Sequence, residues 1–273
     1  MPKMVSIRVW ASQIGAHRNA FIRRTMLRSR SGYRAGKMNV INVQKLDIEI
    51  GNAASVSGLL THPPKARACF VFAHGAGAGM THPFMEAIAG GLGERGVATL
   101  RYQFPYMEKG SKRPDSPAIA QAAVRGAVAE AGRRCAGLRL IAGGKSFGGR
   151  MTSQAQAMAP LASVDGLAFL GFPLHPAGKP SSDRAGHLSD VQVPMLFLQG
   201  TRDNLAELKL LEPVVKRLGP SASLHPVEAA DHSFHVLVRS GRNDGDVMNE
   251  ILDTLAGWIG AIETERAVSM TRD

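Results

Sequence analysis

From Gln44 onward, short apolar runs alternate with longer amphipathic stretches, and this order predicts a mostly parallel sheet covered by helices. Leu46–Ile50 and Val56–Thr61 alternate apolar and polar residues around Gly51-Asn52, the pattern of an opening antiparallel pair. Cys69–Ala73 is continuously apolar and suits a strand buried on both faces. Further strands are expected at Val97–Tyr102, Leu138–Ala142, Val164–Leu170, Met195–Gln199 and Ser223–Glu228. The spacing between them predicts helices over Pro83–Arg95, Ser116–Arg133, Gly149–Met158 and Leu205–Leu218, and a closing helix over Val247–Glu263. Pro117 falls in a first turn, and Gly219-Pro220 stops a helix. The longest irregular stretches, Gln103–Pro114 and Pro173–Val193, have room for functional loops but not for a large lid domain. One domain over residues 44–265 is expected, with a basic, disordered extension over 1–43 and a tail over 266–273.

Composition changes this picture only at the N-terminus. At 44% hydrophobic the chain can bury a sizeable core. No apolar run approaches the roughly 20 residues that cross a bilayer, so no membrane association is expected. Cys69 and Cys135 make no disulfide framework, which points to a reducing, cytoplasmic setting. The net charge of +11 suggests nucleic acid until it is divided along the chain. Nine of the 33 basic residues lie within residues 1–37, where there is no acidic residue. The remaining 24 stand against 22 acidic residues, and a nearly neutral body carries no nucleic-acid footprint. Arg23-Arg24-Thr25-Met26-Leu27 resembles a twin-arginine export signal, but Arg28–Arg34 follows where an apolar segment should. The reading taken for the leader is a disordered extension or sequence upstream of a true start at Met38. An organellar transit peptide and a functional basic arm are its alternatives.

The chemistry lies in the body. Gly144-Lys145-Ser146-Phe147-Gly148 matches Gly-x-Ser-x-Gly directly after an expected strand and before a helix. A serine on such a sharp turn projects its hydroxyl above the sheet, and glycines two residues either side avoid collision with it. A phosphate-binding loop is excluded, since that pattern requires glycine where Arg139 stands. Serine needs an adjacent base, and in α/β hydrolases the order is Ser, acid, His. Asp203 closes the Met195–Gln199 strand and takes the acid position, while His232 follows the last strand and takes the base position. His235, one turn beyond, is the weaker candidate; His225 reads as structural, Asp190 precedes its strand, and Asp231 reads as an organiser of the His loop. Two backbone N–H groups should bind the oxyanion: that of Phe147, and that of Ala76 in His74-Gly75-Ala76-Gly77-Ala78-Gly79. That glycine spacing does not give a dinucleotide-binding turn.

A longer series of motifs carries a family resemblance. His74–Gly79, His82-Pro83-Phe84-Met85, Phe104-Pro105-Tyr106, Pro114-Asp115, Gly143–Arg150 and Gly171-Phe172-Pro173-Leu174-His175-Pro176 together resemble the dienelactone-hydrolase-like group of α/β hydrolases. The testis-expressed and NSL-complex subunit 3 proteins of animals resemble the same group. The resemblance covers roughly residues 44–265. It implies an α/β-hydrolase fold, a mostly parallel central sheet with helices on both faces and no large lid domain, and it implies no particular substrate. At the nucleophile position true dienelactone hydrolases carry Cys, and this chain carries Ser146.

The expected activity is hydrolysis of a small carboxylic ester by Ser146, His232 and Asp203, with thioester or lactone cleavage behind it and no cofactor. The expected partner is a small acyl substrate. His82, Lys145, His175 and Lys179, with Tyr106 and Arg150, stand near the expected mouth; a cationic rim there would favour an anionic acyl substrate. His82 and His175 have no companion ligands, so no metal is expected. The alternative from a different class is a binding or scaffold module that uses the same fold without catalysis.

Overall fold

The computed structural model describes residues 42–51 and 54–270, with side chains described as far as Ile262. Eight strands form one sheet in the order β1-β2-β4-β3-β5-β6-β7-β8. In chain order they are β1 (Asn42–Ile50), β2 (Ala54–His62), β3 (Ala68–Ala73), β4 (Val97–Tyr102), β5 (Arg139–Lys145), β6 (Val164–Leu170), β7 (Met195–Gly200) and β8 (Ala222–Val227). The β1–β2 and β2–β4 pairs are antiparallel and the remaining pairs parallel. The helices are α1 (Pro83–Glu94), α2 (Pro105–Glu108), α3 (Pro117–Arg134), α4 (Phe147–Met158), α5 (Leu208–Leu218) and α6 (Asp244–Met270).

Period-two alternation explains how both faces are filled. In β3, Cys69, Val71 and Ala73 join the cluster that α3, α4 and α5 cover, while Ala68, Phe70 and Phe72 face α1 and α6. Every residue of this strand is buried, as its unbroken apolar run requires. β1 lies at the sheet edge with alternate residues exposed.

The differences from expectation fall at element ends. β1 begins by Asn42, before the expected strand at Leu46, because the backbone ladder with β2 continues through Asn42↔His62 beyond the apolar alternation. The rest of the basic extension, Met38 included, and Asn52 of the first turn lie outside the described residues. α6 starts three residues early, with Asn243 Oδ1 accepting from Asp246 N and two acidic residues favouring its first turn. It continues to Met270, so the expected tail is helical up to that residue; 271–273 lie outside the described residues. α5 starts at Leu208 instead of Leu205, because Asp203 claims the Leu205 N–H in a turn. Within the two long irregular stretches, α2 and a 3-10 helix at Asp183–Asp190 are ordered.

β3 lies between β4 and β5, so the chain leaves it in one direction and returns on the other side. The crevice at the carboxyl ends of β3 and β5 is therefore a topological switch point, where open α/β sheets place their ligands. Among the described residues no helix is long and apolar enough to cross a membrane.

α6 closes one face of the sheet through Ile251, Leu255 and Ile259, all fully buried. Ile251→Ala should lower unfolding free energy by about 2–5 kcal/mol, read as a shift of the urea midpoint at unchanged slope.

Candidate active site

β5 runs apolar to Ala142, becomes glycine at 143 and 144, and ends one residue before Ser146. Ser146 takes φ 51° and ψ −114°, a left-handed-side conformation that is unusual for any residue but glycine. A Cβ on Gly144 would lie 2.5 Å from the Ala73 carbonyl oxygen, and one on Gly148 would lie 2.6 Å from the oxygens of both Ala73 and His74. The turn thus packs directly on the end of β3, and only glycine fits at these two places. Ser146 N donates to Leu170 O, tying the turn to β6 as well.

From this turn the hydroxyl of Ser146 reaches His232 Nε2 at 2.9 Å. Nδ1 of the same ring lies 2.6 Å from Asp203 Oδ2, a carboxylate oxygen that can only accept, so Nδ1 carries the proton and Nε2 is free to accept from serine. Asp203 is buried, and its other oxygen accepts from Leu205 N at 2.8 Å. Gln199, buried near the end of strand β7, donates to Asp203 and accepts from Phe172 N at 2.9 Å. Asp231 Oδ1 accepts from Ser233 N and His235 N and shapes the loop that presents His232. His235 pairs instead with Asp244, and His225 with Glu250.

The loop after β3 is held just as closely. His74 is fully buried; its Nε2 accepts from Phe104 N and its Nδ1 donates to Gly75 O. Tyr106 OH accepts from Gly77 N, Gln103 Oε1 from Met80 N, and Arg101 donates to Met80 O. Asp115 Oδ2 accepts from Tyr106 N, which fixes α2 beneath the loop. Among the described residues the N–H groups of Ala76 and Phe147 have no hydrogen-bond partner. At Phe147 this is the free amide of a helix first turn, with the positive end of α4 behind it.

A cavity of about 350 Å³ opens here, lined by Gly75, Ala76, Ala78, His82, Phe84, Met85, Lys145, Ser146, Leu205, His232 and Ser233. Phe84, Met85 and Leu205 are among its apolar lining, and although the sequence places Phe84 and Met85 in a motif and Leu205 at a helix start, it gives none of them a wall position. Gln199 and His74 have no role in the sequence expectations, though each is a polar residue at the end of an apolar strand; Tyr106, expected near the mouth, instead braces the loop through its bond to Gly77 N.

Of the residues expected at a cationic rim, His82 and Lys145 line the cavity and His175, Lys179 and Arg150 do not. His82 lines the cavity, but its Nδ1 accepts from Phe84 N as the cap of α1. The Lys145 ammonium turns inward and donates to the His232 carbonyl at 2.6 Å. His175 is fully buried beside Pro176 O, with Nε2 unpaired, and does not line the cavity. Lys179 is exposed in the following turn, also away from the lining. Arg150 does not line it either. Among the described residues no group of three or more His, Cys, Asp or Glu could hold a metal ion.

A second serine–histidine contact, Ser153 Oγ to His187 Nε2 at 2.7 Å, lies inside α4. The one proton of that hydroxyl goes to Arg150 O, so His187 is the donor and cannot act as base toward Ser153.

Residues 66–260 match the family model described as alpha/beta hydrolase domain. Among solved structures, the chain is similar to a dienelactone hydrolase from Anabaena variabilis at TM-score 0.68 and 20% identity, over 81% of this chain and 98% of that one. An alpha-beta serine hydrolase homologue from Coxiella burnetii matches at 0.63 and 16%, over 78% and 97%. A lidless α/β serine hydrolase from Xanthomonas campestris matches at 0.61 and 18%, over 79% and 94%.

Burial brings the His74 imidazole down from 6.5 to about 4, so it stays neutral in the fold. The unfolded chain then binds more protons across that interval, and stability must fall as pH drops from 6.5 towards 4, by about 3 kcal/mol from this group. A His74→Gln variant, less stable at neutral pH, should show a shallower decline over the same window in denaturant titrations.

Proposed function

Because this chain belongs to the alpha/beta hydrolase domain family, we propose that it is a serine hydrolase acting on a small carboxylic ester, with Ser146 as nucleophile, His232 as base and Asp203 as orienting acid. The observation that carries the reading is the hydrogen-bonded chain Ser146–His232–Asp203, with unpartnered amides on the next residue, Phe147, and on Ala76, which lines the same cavity as Ser146.

In this mechanism Ser146 Oγ attacks the acyl carbon as its proton passes to His232 Nε2. The oxygen of the tetrahedral intermediate accepts from the Phe147 and Ala76 N–H groups, whose alignment costs nothing at the moment of reaction. Asp203, its lone pairs already occupied by Gln199 and Leu205 N, holds the imidazole tautomer and stabilises the imidazolium. His232 then protonates the leaving alcohol. The acyl-enzyme is released by water, deprotonated by the same imidazole.

A cavity of this size, with an apolar wall of Phe84, Met85 and Leu205, suits a short acyl group; lactones and thioesters are the next candidates. The finer kinship with the testis-expressed and NSL-complex subunit 3 proteins rests on the motif series and belongs to the same proposal. So does a cytoplasmic setting, which the free thiols of Cys69 and Cys135 support.

A fluorophosphonate probe should label the purified protein, with labelling abolished in Ser146→Ala and strongly reduced in His232→Ala. Asp203→Asn should cut turnover of a short-chain ester by roughly 10³–10⁴-fold while leaving the fold intact. A well-folded wild type that takes no label would instead favour a binding module.

A further inference from the structure

Lys145 stands between Gly144 and Ser146, and its side chain leaves the elbow towards the loop that carries the base. Its Nζ donates to the His232 carbonyl at 2.6 Å and stands 5.4 Å from the centre of the Phe234 ring. Gly171, at the end of β6 with φ +70°, leaves room for this ammonium. A Cβ at Gly171 would lie 2.9 Å from Nζ and 3.5 Å from the His232 ring. The stem of Lys145 also borders the cavity and passes 3.5 Å from the Cβ position of Gly75. The titratable groups facing it are Asp203, from the turn after β7, and Asp231 and His232, from the loop after β8. β6 contributes only the Gly171 backbone. Among the described residues Lys145 forms no salt bridge, so its strongest partner is a neutral carbonyl.

Such a contact does nothing for the helices or the sheet. It joins the residue before the nucleophile to the residue that carries the base, across two parts of the chain 87 positions apart. We propose that Lys145 is a positioning residue, whose ammonium ties the His232 loop to the nucleophile elbow and thereby holds the Ser146–His232 hydrogen bond in its reactive geometry. The inference rests on the serine-hydrolase reading above. It replaces substrate recognition as the role of this lysine.

Two consequences separate this role from a purely structural one. Burial pulls Lys145 down from 10.5 to about 8, with Asp203 and Asp231 opposing part of the shift. The ammonium therefore loses its proton just above neutrality, and the charge-assisted bond to the carbonyl weakens. The second consequence has the opposite sign. A folded value below the unfolded one means that keeping the charge costs stability below about 8, and that cost disappears as pH rises towards 10.5. An apolar side chain of similar length should be at least as stable and yet slower.

The test is the second-order rate of fluorophosphonate labelling, followed from neutral to alkaline pH in wild type, Lys145→Met and Lys145→Arg, beside thermal unfolding of each. In the wild type the rate should fall as pH rises through about 8. Lys145→Met should unfold no earlier than wild type and label roughly 10- to 100-fold more slowly at neutral pH, the range that a small misplacement of a catalytic group costs. It should show no alkaline fall. Lys145→Arg, which keeps its charge throughout, should recover part of the neutral rate with a flat profile, and it carries the test if the Met variant does not fold. Labelling of Lys145→Met at the wild-type rate, or an alkaline fall retained in either variant, overturns the proposal. An unlabelled wild type would overturn the hydrolase reading instead.

Discussion

Ser146 holds a backbone conformation that a residue with a side chain adopts only at a cost of roughly 1–3 kcal/mol. It stays there because β5 on one side and α4 on the other leave no alternative path through the turn, and because Ser146 N is bonded to β6. Gly144 and Gly148 then permit an approach to the end of β3 that no other residue would. That approach brings Gly75 and Ala76 into the lining of the cavity that Ser146 borders, while the Phe147 amide has no hydrogen-bond partner among the described residues. The cavity and its donors are consequences of one strained turn at the centre of a parallel sheet.

Around the turn, the supporting groups are polar and buried, and their worth lies in asymmetry. A net hydrogen bond of the kind that His74, Gln199 and Tyr106 make is worth only about 1 kcal/mol, but an abandoned buried partner costs more. Each of these side chains bonds to the backbone of a neighbouring segment. Displacing a loop would therefore orphan groups in two places at once. Around the loop after β3 these bonds add to the packed rings of His74, Phe104, Tyr106 and Phe147.

Much of this was legible in the chain because it is set locally or by element order. Glycine spacing marks the elbow, and apolar runs mark the buried strands. The rule that acid and base follow successive strands singled out Asp203 and His232, which the structure links in one hydrogen-bonded chain to Ser146 through the His232 ring. What was not legible depends on directions that only packing decides. Lys145 reads as a substrate-facing cation at the mouth, yet its ammonium turns inward where Gly171, far along the chain, has no side chain to block it. His175 reads as a mouth residue and is buried instead, because its backbone bonds Leu205 and carries the ring under the loop. Phe84, Met85 and Leu205 come from two different helix approaches, and no local pattern announces that they share a wall.

The span of the contacts has a bearing on how the molecule comes into being. Ser146 and His232 lie 86 positions apart, with the carboxylate 29 positions before the imidazole. During synthesis, a ribosome will therefore have exposed the elbow and its whole supporting strand well before the base is made. Through that interval the Ser146 hydroxyl has no imidazole partner, and a nascent or C-terminally shortened chain lacks the Ser146–His232–Asp203 hydrogen bonds. Those hydrogen bonds close only when the final third of the polypeptide has docked, so they mark completed assembly.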